Sequence, residues 1–279
     1  MVLQLGLIGH PISHSLSPWI HTELLKLAKI NGEYKLYPGN EEELPNVLRH
    51  LRDNSIDGFN ITVPYKEKIL DHLDEIDPEA ERLGAVNTVV QQNGKWKGYN
   101  TDGEGYVRSI QRSFPSLLHN QASILILGAG GAARGIYNVL MKLALKRVDI
   151  ANRSLHKAEQ FLEMQLGKSE SRVLNYEEAE QQLSEYDLII QTTSVGMKPE
   201  IDQQIIQLHH VKENAVVSDI VYQPIMTSFL KDAKDNGAKI HHGHAMLLYQ
   251  AQLAFEKWTG IDVDAEHLLN ELEKQLRGG

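Results

Sequence analysis

The stretch Ser123–Gly135, SILILGAGGAARG, decides the fold of this 279-residue chain. A short apolar strand runs directly into a glycine-rich turn and then a helix, with Gly128, Gly130 and Ala133 in the pattern G-x-G-x-x-A. In this pattern the first glycine allows a tight turn, the second lets the backbone approach a pyrophosphate, and the alanine lets helix pack on strand. Free backbone N–H groups at the helix start then bind the anion. The stretch predicts a dinucleotide site whose loop contacts are Gly128, Ala129, Gly130, Gly131 and Ala132.

The end of the next strand indicates which dinucleotide binds. An NAD site usually carries Asp or Glu there, about 20 residues after the glycines. Here the strand ends in Asn152 and Arg153, and Lys157 follows one turn later. Cations at a helix N-terminus oppose its dipole unless an anion joins them, and a guanidinium suits a phosphate. The alternative is a solvated helix start. We predict NADP, with its 2′-phosphate near Asn152, Arg153, Ser154 and Lys157.

Outward from this stretch, short apolar runs alternate with amphipathic segments, which predicts an α/β fold. One series of strands is expected near residues 3–8, 34–37, 58–61 and 88–91, and a second near 123–127, 147–151, 188–191 and 215–219. Helices are expected at about 41–53, from 102 onward, over 154–166 and from 243 to near the end. Ser17 followed by Pro18 predicts an N-cap and first-turn proline for the first helix.

Composition excludes several kinds of chemistry. The chain has no cysteine, so disulfides, thiolate metal sites and a cysteine nucleophile are excluded. A net charge of −9 argues against nucleic acid as the main partner. Neither a signal peptide nor a membrane span is expected, and the predicted location is the cytoplasm. His241, His242 and His244 lack a carboxylate partner at suitable spacing, so no metal site is predicted.

Motifs along nearly the whole chain resemble the shikimate dehydrogenase family. They are GHPISHSLSP (9–18), NITVPYK (60–66), GAVNT (84–88), GYNTDGEG (98–105), TTSVGM (192–197), DIVYQP (219–224) and GHAMLLYQAQLAFEKWTG (243–260). The resemblance implies two α/β domains: an N-terminal substrate domain completed by C-terminal helices, and a Rossmann-type dinucleotide-binding domain. The expected boundaries are 1–105 for the substrate domain, 106–237 for the NADP domain, and 238–279 for helices packing back on the substrate domain.

The same resemblance implies the reaction and the site. The expected reaction is the reversible NADPH-dependent reduction of 3-dehydroshikimate to shikimate, in the pathway to aromatic amino acids. The implied catalytic residues are Lys66 and Asp102, and the implied substrate contacts are Ser15, Ser17, Asn60, Thr62, Asn87, Tyr222 and Gln250. Further implied cofactor contacts are Thr192, Ser194, Met197, Ile220 and Gly243. Without the resemblance, Ser17 and Asp102 are ordinary helix caps and Gln250 is a surface helix position.

The chemistry of the implied pair leaves one question open. Hydride transfer to a carbonyl leaves an oxyanion, which the Lys66 ammonium can stabilise and protonate, while Asp102 can orient that ammonium. Whether Lys66 transfers the proton or mainly orients and stabilises is left open. Pro78 stands where family members often carry an acidic residue twelve positions after the catalytic lysine.

Three alternatives remain at this point. A quinate dehydrogenase would often prefer NAD, against which the cations after the second strand argue. A catalytically silent NADP-binding regulator of the same fold should have lost Lys66 or Asp102, and both are present. An unrelated Rossmann enzyme would leave the N-terminal motifs unexplained. The chain is expected to be a monomer or a homodimer.

Overall fold

The computed structural model describes residues 2–278, which form two compact units. Within the described residues, the first unit consists of 2–101 with 250–266, and the second of 102–249 with 267–278. Each unit is therefore built from two separate pieces of chain. Each contains one six-stranded sheet.

The first unit is a mixed sheet with helices. Its elements up to residue 101 are β1 (Leu3–Gly9), α1 (Ser17–Leu27), β2 (Gly32–Pro38), α2 (Leu44–Asp53), β3 (Gly58–Ile61), β4 (Glu75–Ile76), α3 (Pro78–Leu83), β5 (Thr88–Gln92) and β6 (Lys95–Tyr99), with a 3₁₀ turn at Lys68–His72. The strand order is β2-β1-β3-β5-β6-β4. β1 lies parallel to β2 and β3, whereas β5 is antiparallel to both β3 and β6.

The C-terminal helix segment of the first unit covers its sheet. Trp258 lies in α9 (His244–Thr259), and its indole N–H donates to the Val89 carbonyl at 2.9 Å. A Cβ on Gly58 would stand 2.2 Å from the Trp258 ring nitrogen, so only glycine leaves room for this ring. Trp258 also packs beside His21, which stacks on Tyr34 with ring centroids 4.4 Å apart. Residues 250–266 thus complete the core of this unit.

The second unit has a parallel sheet with helices. Its elements are α4 (Asp102–Ser113), β7 (Ser123–Leu127), α5 (Gly131–Leu140), β8 (Arg147–Ala151), α6 (Leu155–Leu162), β9 (Val173–Leu174), α7 (Tyr176–Gln181), β10 (Leu188–Gln191), β11 (Val216–Asp219), α8 (Ser228–Asp235), β12 (Lys239–His241), the start of α9, and α10 (Leu268–Gly278). The order β12-β11-β10-β7-β8-β9 is the doubly wound order of Rossmann domains. Strand order reverses between β7 and β10, where such sheets bind ligands at the carboxyl ends.

A buried ionic network lies behind β8. Asp149 is fully buried, and its carboxylate accepts from the Arg172 guanidinium at 2.8 Å and the Tyr186 hydroxyl at 2.7 Å. Arg147 adds a contact from its Nε at 3.0 Å. These partners compensate the desolvated charge.

The predicted fold class is confirmed, and several element predictions need correction. Ser17 does not cap α1: the N-cap position is Leu16, without a side-chain cap. The helix predicted from residue 41 begins at Leu44, and the one predicted to reach 166 ends at Leu162. Four strands were not predicted: β4, β6, β9 and β12. β6 buries one large apolar side chain, Trp96, and its remaining residues give little apolar signal.

The domain boundaries stay a prediction. The structural units differ from them near the C-terminus, because β12 pairs with β11 in the second sheet. Residues 238–249 and α10 belong to the second unit, and only residues 250–266 of the C-terminal segment belong to the first.

Pro78 has a local structural role at the start of α3. Asp77 caps this helix by accepting from the Glu79 N–H at 3.0 Å.

Candidate active site

The glycine-rich loop has the backbone conformation that its sequence predicts. Gly128 has φ +108°, a conformation in which other residues are strained, and its N–H donates to the Ala151 carbonyl at 2.8 Å. A Cβ there would lie 2.7 Å from the Thr193 methyl group and 2.8 Å from the Thr192 hydroxyl. Glycine is therefore required by both conformation and space.

The next two glycines leave the start of α5 open. A Cβ built on Gly130 or on Gly131 would meet no atom within 4 Å, and α5 begins at Gly131. The exposed backbone at a helix N-terminus fits the pyrophosphate of a dinucleotide. The open space beside Gly130 and Gly131 therefore fits a nucleotide-binding loop.

The end of β8 presents cations. Arg153 and Lys157 are exposed, and the Asn152 amide donates to the Ser154 carbonyl at 2.9 Å, which shapes the turn between strand and helix. The acidic residue of β8, Asp149, is buried among its arginines and does not stand at the strand end. This arrangement suits a 2′-phosphate better than free ribose hydroxyls.

A third cation, Arg134, lies in this region and was not predicted from the sequence. Arg134, in the first turn of α5, reaches the Gln160 side chain on α6 at 3.5 Å. Its position directly after Ala133 of the glycine pattern was the available signal. The N-terminal turn of α5 thus carries a cation, which again favours an anionic ligand.

The remaining predicted nucleotide contacts lie on the loops after β10, β11 and β12. The Thr192 hydroxyl donates to the Leu127 carbonyl at 2.7 Å, which ties the first residue after β10 to the end of β7. Ser194 and Met197 are exposed on the same loop. Gly243 is buried so tightly that a Cβ would stand 2.4 Å from the Ile220 carbonyl oxygen. All five of these predicted contacts therefore lie on loops that follow neighbouring strands at one sheet edge.

Tyr222 lies on the loop after β11. It is partly buried, and burial raises the pKa of its phenol above the ordinary value. The hydroxyl therefore stays protonated at neutral pH and can donate a hydrogen bond to an anion.

In the first unit, two serines stand side by side at the start of α1. The Ser15 and Ser17 hydroxyl oxygens are 3.2 Å apart, and the Ser17 N–H donates to the Ser15 hydroxyl at 3.2 Å. Ser17 lies beside the Tyr34 hydroxyl, which donates to the Asn60 Oδ1 at 2.8 Å. Tyr34 thus links the serines to β3, a connection that the motifs did not indicate.

Asn60 and Asn87 are the centre of a buried amide network. The Asn60 amide donates to the Asn87 carbonyl and to the Thr88 hydroxyl, both at 3.1 Å. The Asn87 Oδ1 accepts from the Thr101 N–H at 2.9 Å, and its amide lies 3.5 Å from the Gln250 Oε1. The Thr101 hydroxyl donates to the Gln250 carbonyl at 3.0 Å. Three predicted substrate residues are thereby held in one hydrogen-bonded set.

Lys66 and Thr62 lie on the segment that follows β3. The Thr62 N–H donates to the Ile8 carbonyl at 3.0 Å, and the Lys66 carbonyl accepts from the Val86 N–H at 2.8 Å. The backbone of Lys66 is therefore bonded to the segment that precedes Asn87 and β5. Asp102, the other predicted catalytic residue, is the first residue of α4 in the second unit and directly follows Thr101.

His241 and His242 near β12 bond different groups, and the His242 and His244 rings lie 5.8 Å apart. His241 is buried with its Nδ1 2.9 Å from the Ser218 hydroxyl, and His242 bonds the Ile225 carbonyl through its Nδ1 at 2.9 Å. Burial lowers the pKa of His241 to about 3. Among residues 2–278, no group of three or more His, Asp or Glu residues is arranged to hold a metal ion. In the same part of the chain, no helix combines the length and the apolar character needed to cross a membrane.

Comparison with known families covers most of the chain. Residues 7–89 match the shikimate dehydrogenase substrate binding domain, residues 109–222 match the shikimate / quinate 5-dehydrogenase family, and residues 243–273 match the shikimate 5′-dehydrogenase C-terminal domain. The three matches follow the order of the motifs along the sequence.

Individual relatives of the chain have names from the same family. A shikimate dehydrogenase (NADP(+)) of Oceanobacillus iheyensis is 47% identical over 280 residues, covering 100% of both chains. The crystal structure of the shikimate 5-dehydrogenase of Thermus thermophilus with NADP(H) and shikimate is 32% identical, with a TM-score of 0.85 over 99% of each chain. The quinate dehydrogenase of Corynebacterium glutamicum with NAD is 26% identical, with a TM-score of 0.86 over 100% of this chain and 99% of that one. The present chain belongs to the shikimate dehydrogenase family, and it is an oxidoreductase whose cofactor is NADP.

Proposed function

We propose that this chain reduces 3-dehydroshikimate reversibly to shikimate with the residues singled out by its motifs. The observation that carries the proposal is the hydrogen-bonded set in the first unit, in which Asn60, Asn87 and Gln250 are held by Tyr34 and Thr101. A small ring with one carboxylate and three hydroxyls needs such fixed donors and acceptors. Their orientation in advance reduces the entropy lost on binding.

The two ends of the substrate would be recognised by different groups. The Ser15 and Ser17 hydroxyls, 3.2 Å apart, and the protonated Tyr222 phenol can donate to the two oxygens of a carboxylate. Asn60, Thr62, Asn87 and Gln250 can address ring hydroxyls, because amides and hydroxyls both donate and accept. This division gives the site one end that binds the substrate carboxylate and one end that binds the neutral ring hydroxyls.

The nucleotide would bind along the carboxyl ends of β7, β8, β10, β11 and β12. Gly128–Ala132 would take the pyrophosphate, Arg153 and Lys157 the 2′-phosphate, and Thr192, Ser194, Ile220 and Gly243 the remaining length. When bound, NADPH supplies the hydride and NADP accepts it in the reverse direction. The open backbone at Gly130 and Gly131 supports this assignment.

Lys66 and Asp102 would handle the charge and the proton at the reacting oxygen. In the direction of reduction, the Lys66 ammonium would stabilise the alkoxide that forms on the substrate. The same ammonium can donate a proton to that alkoxide. Asp102 orients the ammonium and accepts a hydrogen bond from a neighbouring hydroxyl. Within the first unit, the backbone hydrogen bonds of Lys66 to Val86 and of Thr101 to Asn87 support a defined position for the Lys66 backbone and for the residue that precedes Asp102.

Steady-state kinetics of Lys66→Ala test this proposal. We expect kcat to fall by about 10²-fold or more with a small change in KM, since a general acid or base contributes at least that much. Lys68→Ala is the matched control: Lys68 lies two residues away, is exposed and pairs with Glu41. A Lys66→Ala enzyme with kcat within about threefold of the parent would overturn the assignment.

A quinate dehydrogenase activity is the second candidate, favoured by the structural similarity to the Corynebacterium glutamicum enzyme. The cations at the end of β8 weigh against it, because they suit NADP. Rates with shikimate and with quinate, each with NADP and with NAD, separate the two. A higher kcat/KM for quinate than for shikimate would replace the primary proposal.

The partners follow from the same proposal. The chain would act on small molecules in the cytoplasm, as a monomer or homodimer, with no nucleic acid or membrane partner. The net charge of −9 supports the exclusion of nucleic acid. Sedimentation velocity with and without NADP measures the assembly state.

A further inference from the structure

Two buried polar side chains end neighbouring strands of the second sheet. Gln191 is the last residue of β10 and Asp219 the last of β11, and the two are paired in register. Their exposed fractions are 1% and 0%. The Gln191 amide donates to the Asp219 Oδ1 at 3.1 Å, so the pair links the two strand ends.

Asp219 holds both ends of the loop that follows β11. Its Oδ1 also accepts from the Val221 N–H at 2.9 Å, and its Oδ2 accepts from the Thr227 hydroxyl at 2.7 Å. The Thr227 oxygen in turn accepts from the Leu230 N–H at 3.2 Å and so caps α8. One carboxylate therefore fixes the first and last turns of loop 220–227.

Gln191 does the same for the loop after β10. Its amide N–H₂ group donates to the Val195 carbonyl at 3.1 Å as well as to Asp219, and its Oε1 accepts from the Thr193 N–H. The pair is thus shared between two loops, and these loops carry Thr192, Ser194, Ile220 and Tyr222.

The surroundings of Asp219 point to positioning rather than contact with a ligand. Complete burial keeps the carboxylate away from solvent, and its three hydrogen-bond donors are all neutral. Burial raises the pKa of Asp219 to about 7 despite those donors. A buried carboxylate without a cationic donor is costly, so its hydrogen bonds to the loops must offset much of the desolvation.

We propose that Gln191 and Asp219 form a positioning pair that sets loops 192–197 and 220–227 for the reaction, with Asp219 acting through Tyr222. This inference rests on the proposed role of Tyr222 in binding the substrate carboxylate. Both side chains are buried, so the proposal assigns them no direct contact with substrate or cofactor. Loosening the pair should therefore weaken shikimate binding in the way that altering Tyr222 does.

A double-mutant cycle tests the pair with Asp219→Asn and Tyr222→Phe. Asn keeps the size of the side chain and one carbonyl oxygen for Val221 and Gln191, but its N–H₂ group faces the Thr227 hydroxyl. We expect each single variant to raise KM for shikimate, Tyr222→Phe by about tenfold and Asp219→Asn by about fivefold. The double variant should resemble Tyr222→Phe alone, because residues acting through one another are not additive.

Three further variants separate positioning from general stability. Thr227→Val removes the hydroxyl that bonds Asp219 and should raise KM, whereas Thr227→Ser keeps it and should stay within about twofold of the parent. Asp149→Asn is the matched control, because Asp149 is an equally buried aspartate of the same sheet with partners away from these loops. It should lower the thermal midpoint without raising KM.

The outcomes are distinguishable. Additive effects of Asp219→Asn and Tyr222→Phe, or unchanged KM in Asp219→Asn and Thr227→Val, would overturn the positioning pair while leaving the substrate site intact. An unchanged KM in Tyr222→Phe would overturn the proposed role of Tyr222 and the positioning inference with it. Matching KM increases in Asp149→Asn would assign the effect to stability and also overturn the inference.

Discussion

The contact between α4 and α5 offers a sharp test, because two glycines face each other there with unequal room. Gly103 is the second residue of α4 and directly follows Asp102. A Cβ on Gly103 would stand 2.2 Å from the Gly135 carbonyl oxygen and 3.0 Å from a Val139 methyl group. Ordinary contact begins near 3.4 Å, so Gly103→Ala must move the first turn of α4 by about 1 Å.

That displacement gives the expected magnitude. Overpacking of this kind costs about 1–3 kcal/mol, which lowers the thermal midpoint by roughly 3–10 °C in a chain of this size. The larger effect should be on activity, because a misplacement of about 1 Å in a catalytic group can cost about 10²-fold. We therefore expect Gly103→Ala to lower kcat/KM for shikimate by about 30-fold to 100-fold.

Gly135→Ala is the matched control at the same contact. A Cβ on Gly135 would lie 3.6 Å from the Gly103 nitrogen and 3.8 Å from its Cα, which is ordinary packing. Alanine also gains up to about 1 kcal/mol of helix propensity in α5. Thermal melts of both variants give their midpoints, and steady-state kinetics measured below the lower midpoint test the expected loss of activity. A Gly103→Ala enzyme within threefold of the parent, or equal losses in both variants, would refute the reasoning.

Three other predictions concern the cofactor and stability. Arg153→Ala should reduce kcat/KM with NADP by about tenfold or more and leave kcat/KM with NAD nearly unchanged. In the parent enzyme, added salt should raise KM for NADP more than KM for NAD. Equal losses with both cofactors would show that Arg153 has a structural role. Burial lowers the pKa of His21 to about 3, so the unfolded chain binds its proton first, and the stability present above pH 6.5 is lost as pH falls toward 3. Between pH 7 and pH 5 the parent should lose about 2 kcal/mol more unfolding free energy than His21→Phe in urea titrations, and parallel pH curves would contradict this. Asp149→Asn should lower the unfolding free energy by about 2–4 kcal/mol, because Arg147, only 12% exposed, loses its buried partner; a loss under about 0.5 kcal/mol would show that Arg147 is satisfied by Glu185 alone.

The second sheet was largely predictable from sequence for a physical reason. Parallel strands buried on both faces are continuous apolar runs, and β7, β8 and β10 have the predicted bounds. β9 and β12, with two and three residues, carry too little pattern to be found. In the first sheet, β6 was missed because two lysines and a glycine flank its one buried tryptophan.

The site was predictable only where a motif carries a backbone requirement or a family resemblance. The glycine loop follows from conformation, as φ +108° at Gly128 illustrates. The links between site residues were not predictable, because Tyr34 and Asn60 are 26 positions apart and Asn87 and Gln250 are 163 apart. Asp219 begins the motif DIVYQP, but nothing in that motif distinguishes a buried residue that fixes a loop from a residue that contacts a ligand. The catalytic roles of Lys66 and Asp102 stay predictions.

The first unit is built from two separate segments of the chain. Its fold can therefore be completed only after the second segment, residues 250–266, has been synthesised. Trp258, which fills the space above Gly58 and bonds Val89 across 169 positions, leaves the ribosome roughly 160 residues after Thr101. At about 5–20 residues per second, this delay lasts about 10–30 s. During that time the sheet formed by β1, β3 and β5 lacks its covering helix and exposes apolar surface. The nascent first unit should therefore be the part of the chain most dependent on chaperones, and most prone to aggregate when translation is slow.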